Sequence, residues 1–411
     1  MGLPMSSTCV IALASILLLA ATSADAALAP LDPARIKDVA GLLPEQPGGP
    51  GRPASDRAAW EALAAEAAYQ GILRRAEQLL NEPLPEQPDD LYLDFSRTGN
   101  RTRWQRVSGQ RRGRLAPLVL AECLEDKGRF VPAIAALVDA LAAERTWVMP
   151  AHDGSLANFE GKTVDIDLAS SALAWELALA NYLLGERLPE ATREAIRENV
   201  SRRVLEPYRA MIRGERAPNW WALTTNNWNA VCLAGVTGAA LAQLPSREER
   251  AEVVVAAEMH SRNFLRGFTD DGYCSEGLGY WNYGFGNYVY LGETVRQATG
   301  GGVDLMALPE VKAPATFGAR IGIIGGVYPA FADCSVNASP SSVTMYYVNR
   351  RFGLGLREYD NLDLGSVVGS LSTALLFSFP NAASETAPAA TTSATIRCAP
   401  SSAASPTTAA S

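Results

Sequence analysis

Histidine is nearly absent from this chain. Only His152 and His260 occur in 411 residues, and none of the six cysteines, at positions 9, 123, 232, 274, 334 and 398, falls in a Cys-x-x-Cys pair. The spacing that builds zinc sites is therefore missing, and neither a metal nor another cofactor is expected. Long apolar runs are also lacking. Val10 to Ala21 is shorter than the roughly 18 residues a membrane-spanning helix needs, and Ala24-Asp25-Ala26 follows it with the small-residue pattern of a cleavage site. Residues 1–26 thus read as a signal peptide with cleavage before Ala27, which places the protein outside the cytoplasm with no stable membrane anchor. Positive charge is in deficit, with 36 basic against 44 acidic residues. Loss of residues 1–26 removes Asp25 and no base, leaving 36 − 43 = −7, so nucleic acid is not an expected partner. In an exported chain Cys232 and Cys274 are the first pair to expect as a disulfide. The alternative is that both are small buried hydrophobes.

What is present is a helical, globular composition, 48% hydrophobic and 19% charged. Apolar spacing near 3.6 predicts helices over 58–82, 113–126, 130–146, 165–184, 189–213, 227–243, 246–267 and 282–298, joined by short Gly, Pro or Asp loops. Helices of this length with short connections pack as antiparallel neighbours. The expected fold is all-α, an (α/α) toroid of helix hairpins over 58–350, with an open helical solenoid as the alternative. An N-terminal linker is expected over 27–57. The apolar segment 351–380, with LGSVVGSLSTALLFSF at its end, reads as a last helix or a short irregular or β-containing remnant. Residues 381–411, mostly Ala, Ser, Thr and Pro, read as a disordered tail.

Two aromatic patches stand out. DDGYCSEGLGYWNYGFGNYVYL, from Asp270 to Leu291, holds five of the thirteen tyrosines together with Trp281, Phe285 and Glu276. NWWALTTNNWNAVC, from Asn219 to Cys232, holds Trp220, Trp221 and Trp228 among four asparagines. Flat rings stack on sugar rings, amides orient hydroxyls and glycines admit close backbone approach, so both patches predict a carbohydrate site.

TNNWNAVCLAG at Thr225 to Gly235, followed by the tyrosine-rich segment, resembles the heparinase II/III-like polysaccharide lyases and their alginate-lyase relatives. MPAHDGS at Met149 to Ser155 and VDIDLASSALAWELALANYLLG at Val164 to Gly185 are similar to earlier segments of that family, so the resemblance covers about residues 90–350. It implies a toroid followed by a β-sandwich, a uronate-containing, anionic polysaccharide as partner, and metal-independent β-elimination. By that resemblance Asn227 neutralises the uronate carboxylate, with Asn226 as understudy, and Tyr280 moves the proton. Two departures are visible. Trp228 stands where the family commonly has histidine after the motif asparagine. No histidine follows His260, and the sandwich is missing or truncated.

The residues themselves leave alternatives open. Asn226 or Asn227 could simply cap a helix. His152, with Asp153 to orient it, is the remaining candidate general base, while His260 sits in a helical stretch suited to packing. Tyr283 and Trp281 are candidate stacking or packing rings around Tyr280, and Glu276 could orient the site or pair with an arginine. Trp220 and Trp221 extend the aromatic surface. The strip NRTRWQRVSGQRRGR, Asn100 to Arg114, could steer a polyanion with Trp104 stacking on a sugar, or could be a solvated basic turn. Arg213 and Arg216 are candidates for carboxylate recognition. Asp165, Asp167, Asp270, Asp271 and Glu276 would serve an inverting glycoside hydrolase instead. A sugar-binding protein that has lost catalysis is the third reading.

Overall fold

The computed structural model describes residues 28–379. The expected signal peptide and the expected tail lie outside the described residues. The chain opens with α1 (Pro33–Leu42), α2 (Arg57–Ala64), α3 (Ala67–Asn81), α4 (Asp89–Thr98), α5 (Thr102–Arg112), α6 (Leu115–Glu125) and α7 (Val131–Ala142). After a loop come α8 (Leu168–Leu184) and α9 (Glu190–Val200), which runs through a π turn (Ser201–Leu205) into α10 (Glu206–Ile212). Then follow α11 (Asn227–Gln243), α12 (Arg247–Leu265) and α13 (Gly277–Ala298), the short turns α14 (Lys312–Ala315) and α15 (Phe317–Arg320), and finally α16 (Ser342–Phe352) and α17 (Leu371–Phe377). The only β pairing among the described residues is an isolated bridge between Ile324 and Val327. Of the alternatives for the C-terminal segment, the β-containing one is corrected: residues 351–379 are short helices and turns, with the last helix, α17, inside the apolar stretch.

Helices α6, α8 and α11 are buried almost all round, as their apolar sequences require, and α13 is largely so. They form the inside of the molecule. Glycines set the closest approach, because an added Cβ at Gly235 would lie 2.6 Å from the Ser171 backbone and one at Gly238 would lie 2.2 Å from the Trp175 ring. Position 235 meets 171 and 238 meets 175, so α8 and α11 run parallel. Helix α12 returns antiparallel, since Gly267 beyond its end abuts Thr225 before the start of α11.

The starts of these inner helices gather at one end. Arg112, just ahead of α6, donates to the Ala169 carbonyl in the first turn of α8. Asn227, the first residue of α11, lies against Gly284 in α13.

The opposite end is closed by residues expected to form a linker. Residues 28–56 instead contribute α1, which packs on α12, and an extended stretch that follows the inner helices' ends. There the Gly48 N–H donates to Leu241 and the Ala54 N–H to Leu183, both at 2.9 Å. The fully buried Arg250 guanidinium donates to the carbonyls of Pro44, Glu45 and Gln46.

The arginine strip is also corrected. It is helix α5 and the turn after it, and its last arginines point inward. Arg111 donates to Pro85 and Ala140, and Arg114 donates to Glu82 and Pro83. Cys232 and Cys274 are separate buried thiols rather than the expected disulfide, as is Cys123. No helix of the described residues is long and apolar enough to cross a membrane.

Candidate active site

The motif residues meet where α8, α11 and α13 begin. Asn226 is the N-cap of α11 and its side-chain oxygen accepts from the Trp228 N–H at 3.1 Å. That geometry turns the next side chain, Asn227, toward α13. Its amide nitrogen lies 3.4 and 3.5 Å from the two carboxylate oxygens of Glu276, contacts long enough to be weak. Gly284 permits this, because a Cβ there would fall 2.9 Å from Asn227 Cβ. Asn229 is fully buried and donates to the carbonyls of Trp221 and Ala222, tying down the turn before the helix.

Glu276, Tyr280, Tyr283 and Gly284 are spaced four, three and one residues apart, and so share one face of α13. Glu276 and Gly284 both touch Asn227, which sets Tyr280 between them on the same face. Tyr283 exposes 41% of its surface, while burial of its phenol pushes its pKa up.

His152 reaches the site through Asp167. Its Nδ1 is 2.7 Å from Asp167 Oδ2, and its ring lies 4.5 Å from that of Trp228, which in turn packs 4.7 Å from Trp220. Asp167 is the N-cap of α8, with Oδ1 accepting from the N–H groups of Ala169 and Ser170 and Oδ2 from that of Met149. Burial opposes its ionisation, but His152 and the backbone donors outweigh burial and hold the carboxyl below its usual range. With Asp167 accepting at Nδ1, the basic nitrogen is Nε2.

The partner expected for His152 is thus the wrong aspartate. Asp153 is occupied by Tyr92 at 3.1 Å, by the Phe159 N–H at 2.9 Å and by Asn158. Asp167-x-x-Ser170, which closes a capping box in the structure, marks the start of α8 but carries no sign of the histidine.

Other expectations are reassigned by burial. Trp281 is fully enclosed, donates to Pro314 at 2.9 Å and stacks on Phe285; Trp221 is fully enclosed, donates to Ile166 at 2.7 Å and stacks on Tyr208. Both are core residues, not sugar platforms. Trp104 is also buried, edge-on to Tyr92, and belongs to no exposed strip. Of the candidate tryptophans, Trp220, at 55% exposure, and the half-buried Trp228 are the ones that face outward.

Arg216 is not free to take a substrate carboxylate. It donates to Val164 and pairs with Asp165 at 3.5 Å, while Arg213 is paired with Glu252. Asp165 is further held by Asn158 and Asn219. Asp271 closes its own turn by accepting from the Tyr273 N–H. His260 is buried in α12, where burial lowers it to about 4. Among the described residues no three His, Cys, Asp or Glu side chains gather to hold a metal ion.

Comparison with known proteins returned no matching family model and no matching curated protein. The resemblance therefore rests on the motifs and on the site they build.

Proposed function

We propose that the chain is a polysaccharide lyase that cleaves a uronate-containing polysaccharide by β-elimination, on an (α/α) toroid whose inner helices begin at the active end. The observation that carries this reading is that Asn227 faces Glu276, one turn before Tyr280 on α13, while the neighbouring Trp228 packs on His152, itself held by Asp167. Unpaired N–H groups and helix dipoles make the active end attractive to a carboxylate.

In this mechanism the uronate carboxylate accepts from the Asn227 amide, whose contacts to Glu276 are weak enough to exchange. Withdrawal of charge onto that carboxylate acidifies the C5 proton. His152 Nε2 takes this proton, the electron pair forms the C4–C5 double bond, the C4–O bond breaks, and the Tyr280 hydroxyl protonates the departing oxygen. Asp167 holds the imidazole in the required tautomer and stabilises its protonated form. Trp220 and Trp228 supply the outward-facing rings for neighbouring sugar units. An inverting hydrolase is less well supported, because three of its five candidate carboxylates, Asp165, Asp167 and Asp271, are already engaged.

The test is incubation with a panel of uronate polysaccharides, following the absorbance of the unsaturated product. Tyr280→Phe is expected to abolish that signal with binding nearly intact. An active Tyr280→Phe enzyme would sink the mechanism. New reducing ends without the chromophore would show hydrolysis, and binding with neither product would show a sugar-binding protein without catalysis.

A further inference from the structure

Between α4, α5 and the end of α7 lies a cavity of about 240 Å³, lined in part by Gln87, Tyr92, Trp104, Arg111, Glu144 and Phe159. None of the residues of the candidate active site lines it. Two buried polar atoms around it have no partner, Gln87 Oε1 and Trp104 Nε1, while Arg111 Nε and Glu144 Oε1 face each other as an ion pair at 3.5 Å. Trp104 is only 2% exposed, so its N–H is cut off from bulk water and unpaired. Burying such groups without a partner is costly. Two of them, an acceptor and a donor, at one cavity point to a polar occupant.

We propose that this cavity is a second binding site, for one neutral sugar ring. The volume is several times the roughly 30 Å³ share of one water and below the roughly 300–1,000 Å³ of drug-sized pockets, which suits a single small ring. Tyr92, Trp104 and Phe159 give part of its lining an aromatic character. Gln87 Oε1 accepts from a hydroxyl, and Trp104 Nε1–H donates to one.

Charge selects against the other ligand classes. An anion finds no free cation here, because Arg111 is spent on Pro85, Ala140 and Glu144, and Arg145 on Asp89. A cation finds the aromatic faces already covered, with Arg112 over Trp104 at 5.6 Å and Arg145 over Phe159 at 4.9 Å. The cavity therefore excludes the uronate that the active site is proposed to bind.

Calorimetric titration of the protein with D-glucose, D-galactose, D-mannose and D-glucuronate tests this. Saturable binding of at least one neutral sugar is expected, at least tenfold tighter than glucuronate. Ala143 is an exposed lining residue, so Ala143→Trp should block entry and weaken binding at least tenfold without unfolding the chain. Trp104→Phe, which keeps the ring and deletes the N–H, should weaken it several-fold. Trp220→Ala and Tyr280→Phe should leave it unchanged, whatever they do to elimination. No saturable binding of any neutral sugar would overturn the proposal. So would binding that survives Ala143→Trp and Trp104→Phe but is lost in Trp220→Ala, which would put the sugar at the active end.

Discussion

Asn226 and Asn227 are neighbours with different duties. The first spends its oxygen on the Trp228 N–H as an N-cap, and the second points its amide across to α13. Asn226→Ala should therefore cost about 1 kcal/mol of stability, read by urea unfolding, and little turnover. Asn227→Ala should instead lower the elimination rate on the order of a hundredfold, the usual scale for losing one preorganised donor. Equal rate losses would contradict the division. His260 makes a second case at this scale. The folded protein keeps it neutral down to about pH 4, while the unfolded chain takes a proton near 6.5. Between those values the unfolded state binds more protons, so this group costs about 2 kcal/mol of stability between pH 7 and 5. His260→Leu should flatten that acid limb, measured by denaturant unfolding at both pH values. The sequence showed which residue types belong to the site but not which way they face. Trp220 and Trp221 are adjacent and identical, yet one is exposed and the other donates to Ile166 from the core. That depends on a carbonyl 55 residues away, which local pattern does not encode.

At the scale of the element, glycine decides how closely the inner helices approach. Replacing Gly235 by alanine gains up to about 1 kcal/mol of helix propensity. The new methyl would meet the Ser171 backbone at 2.6 Å, which cannot turn aside as a side chain can. Gly235→Ala should therefore be net destabilising, by about 1–3 kcal/mol from overpacking. Gly284→Ala presses on Asn227 itself, so it should lower elimination more than it lowers the unfolding midpoint. Helices with regular apolar spacing were legible: α11 begins and ends where the pattern placed it, and α12 differs by one or two residues. Helix α13 starts five residues earlier than expected, because Gly277 and Gly279 read as loop. Gly277 takes φ 87° and lies against the Phe331 carbonyl, a contact made by a later loop. In helix α5 the sequence does not separate Arg111 and Arg112, which serve carbonyls of distant segments, from the exposed Arg103 and Arg106, because that demand is invisible in a local window.

Across the whole molecule the two ends do different work. The starts of the inner helices carry the candidate active site, and the far ends are closed by residues 28–56 and by α17. These closing parts also meet each other: Trp60 packs edge-on to Phe379 at 5.2 Å, and the N–H groups of Leu371 and Ser372 donate to Glu176 in α8. Arg250 tests the separation. It is 1% exposed, and burial lowers its pKa, yet it stays because its guanidinium donates to the carbonyls of Pro44, Glu45 and Gln46. Arg250→Ala would leave those carbonyls without their donor and open a cavity under the N-terminal segment. The expected loss is about 3 kcal/mol of unfolding free energy, from the cavity and the carbonyls left without a donor. If the far end is purely structural, the folded variant should keep the wild-type elimination rate and polysaccharide affinity at a temperature well below its lowered melting point. A loss of turnover without a loss of stability would instead mean that the closing segment governs the geometry of the active end.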